Sequence, residues 1–340
     1  MKLMTFAVPC YNSAAYMNKC VDSLLKAKAD IEIIIIDDGS KDDTARIADA
    51  YQERYPGIVK AIHQENGGHG EGVNVGLKNA SGLYYKVVDS DDWMDEDNMN
   101  VLLTTLETLL EEGNAPDLMI TNFMALNTVT KKNKLMHYKA LMPIGRLFHW
   151  NEMKKFRFDK KLLMHSLYYK TDMLRKYLPP LPKHTFYVDT LFSALPLCNM
   201  EKLYYLDIDV YRYFLGRPDQ SVYMANMIKY ASHMYRVYEE YLAFIQQPHE
   251  WPSPQLKKYV YDTLAAVMTL ISAYALMAST EESLAMRSKL WADLKQSDPV
   301  LYKRLKGTFS NFMLTKDNAV FNALSKIGIK IVMRAVNFNF

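Results

Sequence analysis

Residues 84–93 read Tyr84-Tyr85-Lys86-Val87-Val88-Asp89-Ser90-Asp91-Asp92-Trp93, a short apolar run that ends in three acids within four residues. Carboxylates crowded at the end of a strand repel one another and raise each other's pKa. A divalent cation removes that conflict. Hard oxygen ligands suit magnesium or manganese, which keep open positions for substrate phosphates. A plainer role is also open to these residues, with Asp92 or Asp95 capping the helix that follows.

Outward from this stretch, the first 120 or so residues alternate between strand-like and helix-like pieces. Residues 3–8 are a short apolar run, and Asn12–Lys26 carries apolar residues near helical spacing with Asn12 or Ser13 as N-cap. Ile31–Ile36 is nearly all β-branched and apolar, the pattern of a strand buried on both faces. Asp42 or Asp43 can cap a helix running to about Tyr55. Ile58–His63 is a third strand, Gly70–Ala80 a short helix, Leu83–Val88 a fourth strand, Asp95–Glu112 an acidic helix and Asp117–Phe123 a further strand. Such alternation implies βαβ units and a mainly parallel sheet, with ligands bound beyond the carboxyl ends of the strands. Tyr11-Asn12, Asp37-Asp38 and Asp89–Asp92 all fall at that edge.

The remainder is less regular. Residues 124–220 hold aromatic-rich runs and the rigid Pro179-Pro180-Leu181-Pro182, and from about Tyr223 the chain reads as helical. The uncharged segment Thr263–Thr280 is weakly apolar and reads as a buried helix rather than a membrane span. With 340 residues, 49% of them hydrophobic, the chain can bury a sizeable core, and a net charge of +3 leaves no footprint for nucleic acid. Charge is uneven: residues 301–340 carry +6 and the rest −3, which suggests an acidic partner such as anionic lipid for the basic end. Three cysteines without metal-ligand spacing (Cys10, Cys20, Cys198), and an N-terminus that does not read as a signal peptide, fit the cytoplasm. Gly67-Gly68-His69-Gly70-Glu71-Gly72 lacks the spacing of a dinucleotide-binding loop.

Taken in order, Val8-Pro9-Cys10-Tyr11-Asn12, Ile36-Asp37-Asp38-Gly39-Ser40-Lys41-Asp42-Asp43-Thr44, Asn66-Gly67-Gly68, Asn74-Val75-Gly76 and Asp89-Ser90-Asp91-Asp92 resemble the bacterial family 2 glycosyltransferases. The resemblance is specific over about the first 120 residues and weaker to about residue 222. It implies an α/β fold of GT-A type, a mainly parallel sheet flanked by helices. The GT-A domain would span 1–222, donor-binding over 1–123 and acceptor-binding and catalytic over 124–222, with a helical region over 223–340 that associates with membrane or a partner. It further implies an inverting transfer from a nucleotide-sugar donor, usually a UDP-sugar, with manganese or magnesium as cofactor.

Residue by residue, the resemblance places Pro9, Tyr11, Asn12, Asp38, Gly68, Asn74, Asp89 and Arg217 around the donor. Tyr11 would lie against the base and Asp38 would accept its ring NH. Asp91 would be the main metal ligand, with Asp89 at the ribose or the metal shell. Phe186-Tyr187-Val188-Asp189 stands where the family carries a Glu-Asp pair, so Asp189 is the expected base for the acceptor hydroxyl, and N-cap of a helix Thr190–Leu197 is its structural alternative. Arg217, in Gly216-Arg217-Pro218-Asp219-Gln220-Ser221-Val222, would contact the diphosphate. One departure is Val73, where many members have arginine, which leaves Lys78, Lys86 or His69 to supply that charge. The acceptors implied are cell-surface saccharides, teichoic-acid chains or lipid-linked sugars at the cytoplasmic face of a membrane. The rivals are a silent nucleotide-sugar-binding partner of another transferase and a sugar-nucleotide nucleotidyltransferase, whose glycine-rich basic signature loop is missing. A last helix-spaced set, Val320, Phe321, Leu324, Ile327, Ile331 and Val332 beside Lys326, Lys330 and Arg334, reads either as an interfacial segment on anionic membrane or as a helix packed on the domain with a solvated basic face.

Overall fold

The apolar runs of the N-terminal third become one half of a sheet. β1 (Met4–Cys10), β2 (Ile31–Asp37), β3 (Val59–His63) and β4 (Tyr84–Val87) lie parallel in the order β3-β2-β1-β4. Ile33, Ile34, Ile35 and Ile36 are all fully buried, as expected for a strand covered on both faces. The crossovers are α1 (Met17–Leu24), α2 (Thr44–Arg54) and α3 (His69–Asn79). Then follow β5 (Trp93–Met94), α4 (Glu96–Glu111), β6 (Leu118–Asn127), β7 (Asn133–Met136), β8 (Leu147–Phe148), β9 (Leu167–Lys170), α5 (Thr171–Tyr177), α6 (Asp189–Ala194) and β10 (Leu203–Leu215). The sheet runs β3-β2-β1-β4-β9-β6-β10-β5, with β7 on β6 and β8 on β10. β9 enters antiparallel between β4 and β6, while β6 and β10 form a long parallel pair. The sheet is thus mixed, its long pairings parallel and its antiparallel ones short. The model, computed from the sequence, describes residues 2–154, 156, 161–217, 220–221, 223–307, 322 and 325–329.

The chain divides into two compact units, Met1–Leu215 with Pro248–Tyr259, and Gly216–Gln247 with Val260–Phe340. The division after Leu215 falls a few residues ahead of the 222/223 boundary read from the sequence. The described part of the second unit is helical: α7 (Met224–Lys229), α8 (Ala231–Gln246), most of α9 (Pro254–Ala278), α10 (Glu281–Ser297) and α11 (Pro299–Lys306). Thr280 caps α10 by accepting the Ser283 N–H, and Asp298 caps α11 ahead of Pro299. Among the described residues α9 is long and apolar enough to cross a membrane, with a mean hydropathy of 1.5, yet 61% of that window is buried within the protein. The interfacial set at the C-terminus lies outside the described residues except for Ile327 and Lys326.

One local expectation changes, and one alternative is decided. α1 starts at Met17, not near Asn12, because Asn12 stands at φ +49° and its side-chain Oδ1 accepts the Lys41 N–H at 2.8 Å, joining two loops instead of capping a helix. At the end of β4, Asp95 is the helix cap, accepting the Asn98 N–H at 3.1 Å, and Asp92 is not.

The charged residue in the middle of β4 has a structural use. Lys86 is fully buried, and its Nζ donates to the carbonyls of Met164 (2.7 Å), His165 (2.7 Å) and Leu167 (3.4 Å). Three donors meet three acceptors, so the ammonium is satisfied although burial pushes its pKa well down. It pins the 3₁₀ turn Met164–Ser166 and the start of β9 to the back of β4. Replacing Lys86→Met keeps the volume but strips all three carbonyls of their donor. The expected cost is about 2–4 kcal/mol, read as a lower urea midpoint at unchanged slope. A midpoint equal to wild type would show that the turn needs no such anchor.

Candidate active site

The polar clusters of β1, β2 and β4 meet at the carboxyl edge of the sheet. Pro9, buried in β1, pairs with Ile36, and Tyr11 just beyond it is 51% exposed, with its ring available to a ligand. Asn12 donates its N–H to Ser40 Oγ at 3.0 Å, and Ser13 Oγ reaches Ser90 Oγ at 2.7 Å. These bonds lock the loops after β1, β2 and β4 to one another. Asp38 is buried, and its carboxylate accepts the Gly67 N–H (2.7 Å), the Gly68 N–H (2.8 Å) and Gln64 Nε2 (2.7 Å). A carboxylate has about four acceptor positions, which leaves room for one further donor.

The three acids after β4 take three different roles. Asp92 is fully buried; Tyr211 donates its hydroxyl to Oδ2 at 2.6 Å and Phe214 its N–H to Oδ1 at 2.7 Å. Burial, then Asp91 and Asp89, push its carboxyl well above the usual range. Asp89 accepts from His69 Nε2 at 2.8 Å, and its own N–H donates to Tyr211 Oη at 3.1 Å. Burial raises the Asp89 carboxyl, but the hydrogen bond and charge of His69 outweigh it and hold the group below the usual range. Asp91 is half-buried beside them. Asp189, the first residue of α6, comes from far along the chain to the same cluster. Burial raises its carboxyl; His69 opposes and Asp89 adds to the rise.

Of the three candidates for the missing arginine's charge, the structure brings His69 to the acids. Lys86 faces the back of the strand, and Lys78 is exposed on α3. Asn74 is not turned to the cluster: its Oδ1 accepts the Leu181 N–H (2.9 Å) and its Nδ2 donates to the Leu181 carbonyl (3.0 Å). Gly68, at φ +83°, lies against the chain at His184, where a Cβ would stand 3.0 Å from the His184 nitrogen. Arg212 pairs with Asp95 (2.7 Å) and Asp209 (3.0 Å). Arg217 belongs to the second unit, where its N–H donates to Gln220 Oε1 at 3.1 Å, while Pro218, Asp219 and Val222 of its loop lie outside the described residues.

One residue at the site carried no signal in the sequence. His165 sits in the turn pinned by Lys86, stacked on Tyr211 with centroids 4.8 Å apart and edge-on to Phe123. Its Nδ1 is buried and has no hydrogen-bond partner among the described residues. One ligand atom each from Asp89, Asp92 and His165 lie within 4.8 Å of one another. Two carboxylates and an imidazole held neutral are a donor set that fits a divalent cation such as manganese. The trio shares Asp89 with the expected pair Asp91 and Asp89, and adds a nitrogen ligand.

Residues 5–174 match the family described as glycosyl transferase family 2. The chain belongs to glycosyltransferase family 2. Glycosyltransferase GlyG of Streptococcus pneumoniae serotype 4 (strain ATCC BAA-334 / TIGR4) is 38% identical over 124 residues, which is 36% of this chain and 39% of that protein. Glycosyltransferase GlyA of the same strain is 37% identical over 36% of this chain and 17% of its own length. The chain therefore spans well under two thirds of these relatives. Among solved structures, S. aureus TarS 1-349 in complex with UDP-GlcNAc superposes with a TM-score of 0.68 at 19% identity, covering 96% of this chain and 89% of that one. Mannosyltransferase PcManGT from Pyrobaculum calidifontis, in complex with GDP-Man and Mn2+, gives 0.53 at 16% identity, covering 98% and 86%. At these identities the likeness is one of fold, and the fold is that of GT-A glycosyltransferases.

Burial lowers the His165 pKa to about 4, the site's clearest acid liability. The unfolded chain takes up a proton near pH 6.5 that the folded family member refuses until about pH 4. Stability from this group is therefore full above pH 6.5 and is lost as pH falls toward 4, by up to about 3 kcal/mol. In chelator-treated protein, His165→Gln should flatten the fall in unfolding free energy across that window relative to wild type. Parallel wild-type and variant curves would show that His165 is already charged in the fold.

Proposed function

We propose that this glycosyltransferase is an inverting, divalent-cation-dependent enzyme that transfers a sugar from a nucleoside diphosphate sugar, with uridine as the nucleoside, to a hydroxyl of a cell-surface saccharide, a teichoic-acid chain or a lipid-linked acceptor. The observation that carries this reading is the convergence of Asp189 with Asp89 and His69, which gives one cluster both an acid group for a cation and a carboxylate of raised pKa. TarS in complex with UDP-GlcNAc and PcManGT with GDP-Man and Mn2+ support the donor class and the cation. A place in the cytoplasm, at the inner face of the plasma membrane, belongs to the same reading. The three cysteines, buried and free, are in keeping with it, and the basic residues beyond Leu301 would face anionic lipid.

In this mechanism Tyr11 lies against the base, and Asp38 accepts the base's ring NH at its remaining acceptor position. Asp189 takes the proton of the acceptor hydroxyl as that oxygen attacks the anomeric carbon from the side opposite the leaving diphosphate. A carboxyl lifted by burial is a better base than an ordinary one, which suits this step. Asp91 and Asp89 would hold the cation, and when bound it would offset the negative charge that develops on the leaving nucleoside diphosphate. His69 keeps Asp89 ionised and oriented.

Four expectations test the proposal. Wild-type protein should hydrolyse UDP-GlcNAc or another UDP-sugar slowly when manganese is present. Asp91→Asn should reduce that rate about 10²-fold or more with the fold intact, and a near-normal rate at saturating manganese would remove Asp91 from the metal site. Asp189→Asn should keep donor binding by calorimetry while lowering turnover about 10²- to 10⁴-fold. The rate of wild type should also rise with pH above the ordinary carboxylate range as Asp189 loses its proton, and that limb should vanish in Asp189→Asn. A protein that binds UDP-sugar yet never turns it over would instead be a silent partner.

A further inference from the structure

We infer that Asn74 is a positioning residue for the base Asp189, and does not contact the donor. The inference rests on the proposed role of Asp189. Asn74 sits in the second turn of α3 and uses both ends of its amide on one distant residue. Oδ1 accepts the Leu181 N–H at 2.9 Å, and Nδ2 donates to the Leu181 carbonyl at 3.0 Å. The side chain thus acts as a short piece of strand for the Leu181 backbone. Leu181 lies between Pro180 and Pro182, so its own backbone is already restricted, and fixing it fixes the direction in which the chain leaves.

Two further ties follow from the same turn of α3 and its approach. The His184 N–H donates to the Gly67 carbonyl at 2.7 Å, and Lys183 Nζ meets Glu71 Oε1 at 3.0 Å. Close contact here is possible because glycines stand at positions 68 and 70. A Cβ on Gly70 would stand 2.9 Å from the Pro182 carbonyl oxygen, and one on Gly68 would press on His184. Past these ties the backbone takes two unusual conformations, with φ +48° at His184 and φ +66° at Tyr187. Neither residue is glycine, and such conformations persist where the surroundings hold them. Two residues after Tyr187 comes Asp189. The ties to α3 are therefore what holds a strained segment in the shape that delivers the Asp189 carboxylate to the cluster.

The test separates a tether from a donor ligand. In Asn74→Ala, confirmed folded by its melting curve, the turnover number for UDP-sugar hydrolysis should fall about 10- to 100-fold, the range expected for a misplaced catalytic group. The calorimetric Kd for UDP should stay within about threefold of wild type, since this contact involves no donor atom. Amide exchange at Leu181 and His184 should quicken while β1 and β4 are unchanged. In an Asp189→Asn background the same substitution should change the remaining rate by less than about threefold, because the two residues act as one unit. A Kd that weakens in step with the rate would make Asn74 a donor ligand and overturn the inference. So would an unchanged turnover number, or an equal loss in the Asp189→Asn background. If wild type turns over no nucleotide-sugar, it is the proposed function that fails. Exchange then decides for the tether alone: quickened amides at Leu181 and His184 uphold it, and unchanged ones overturn it.

Discussion

Three carboxylates within four residues at the end of a buried strand must be kept from repelling one another, and the surrounding structure is arranged around that constraint. Asp92 is relieved by two short hydrogen bonds from β10, at Tyr211 Oη and the Phe214 N–H, and by a raised pKa. Asp89 is relieved by His69. Lys86 lies behind both and feels each carboxylate, although burial pushes its own pKa well down. Each relief also fixes a piece of chain. The Asp92 bonds tie β10 to the end of β4, the His69 bond orients the start of α3, and Lys86 holds the turn that carries His165. The electrostatic solution and the architecture of the site are the same set of contacts.

This explains which parts were readable in the sequence. β1 to β4 and their crossover helices show in the alternation of apolar runs with helical spacing, because each is specified by its own residues. The edge where Asp38 and Asp89 gather follows from the topology of parallel strands. The role of Asp92 was not readable, because its partners Tyr211 and Phe214 stand 119 and 122 residues away. His165 lies in a short turn without periodicity, and its place is set by the Lys86 ammonium on another strand. Lys86 did leave a trace, a lone charge inside an apolar strand. Its meaning depended on three carbonyls that no local rule connects to it. β9 and β10 were not read as strands because β9 is only four residues long and Asp207 and Asp209 interrupt β10, where the pairing with β6 shifts register.

The family match ends at residue 174, before Leu181, His184 and Asp189. Physical continuity carries the site past that point. The segment from 181 to 184 is held from within the matched region, by Asn74, Glu71 and the Gly67 carbonyl. A motif such as Asn74-Val75-Gly76 can therefore matter for what lies beyond the recognisable stretch. Gly76 itself packs where a Cβ would stand 2.8 Å from Ala7 Cβ and from Tyr85 Oη, so α3 can settle onto β1 and β4 closely enough for Asn74 to reach across.

The same logic joins the two ends of the site. Asp38 holds the N–H groups of Gly67 and Gly68, and the Gly67 carbonyl in turn holds the His184 N–H. The Asp38 carboxylate is thus two hydrogen bonds from the segment that ends in Asp189. Neither bond has slack: Gly68 has no room for a side chain against His184, and Gly39, beside Asp38, would bring a Cβ within 2.9 Å of the Asn66 nitrogen. Rigid packing of this kind transmits a displacement where a looser loop would absorb it. The surroundings of Asp38 and the placement of Asp189 are therefore not independent features set side by side. They are two ends of one short chain of hydrogen bonds, and the glycines are small so that the chain can be short.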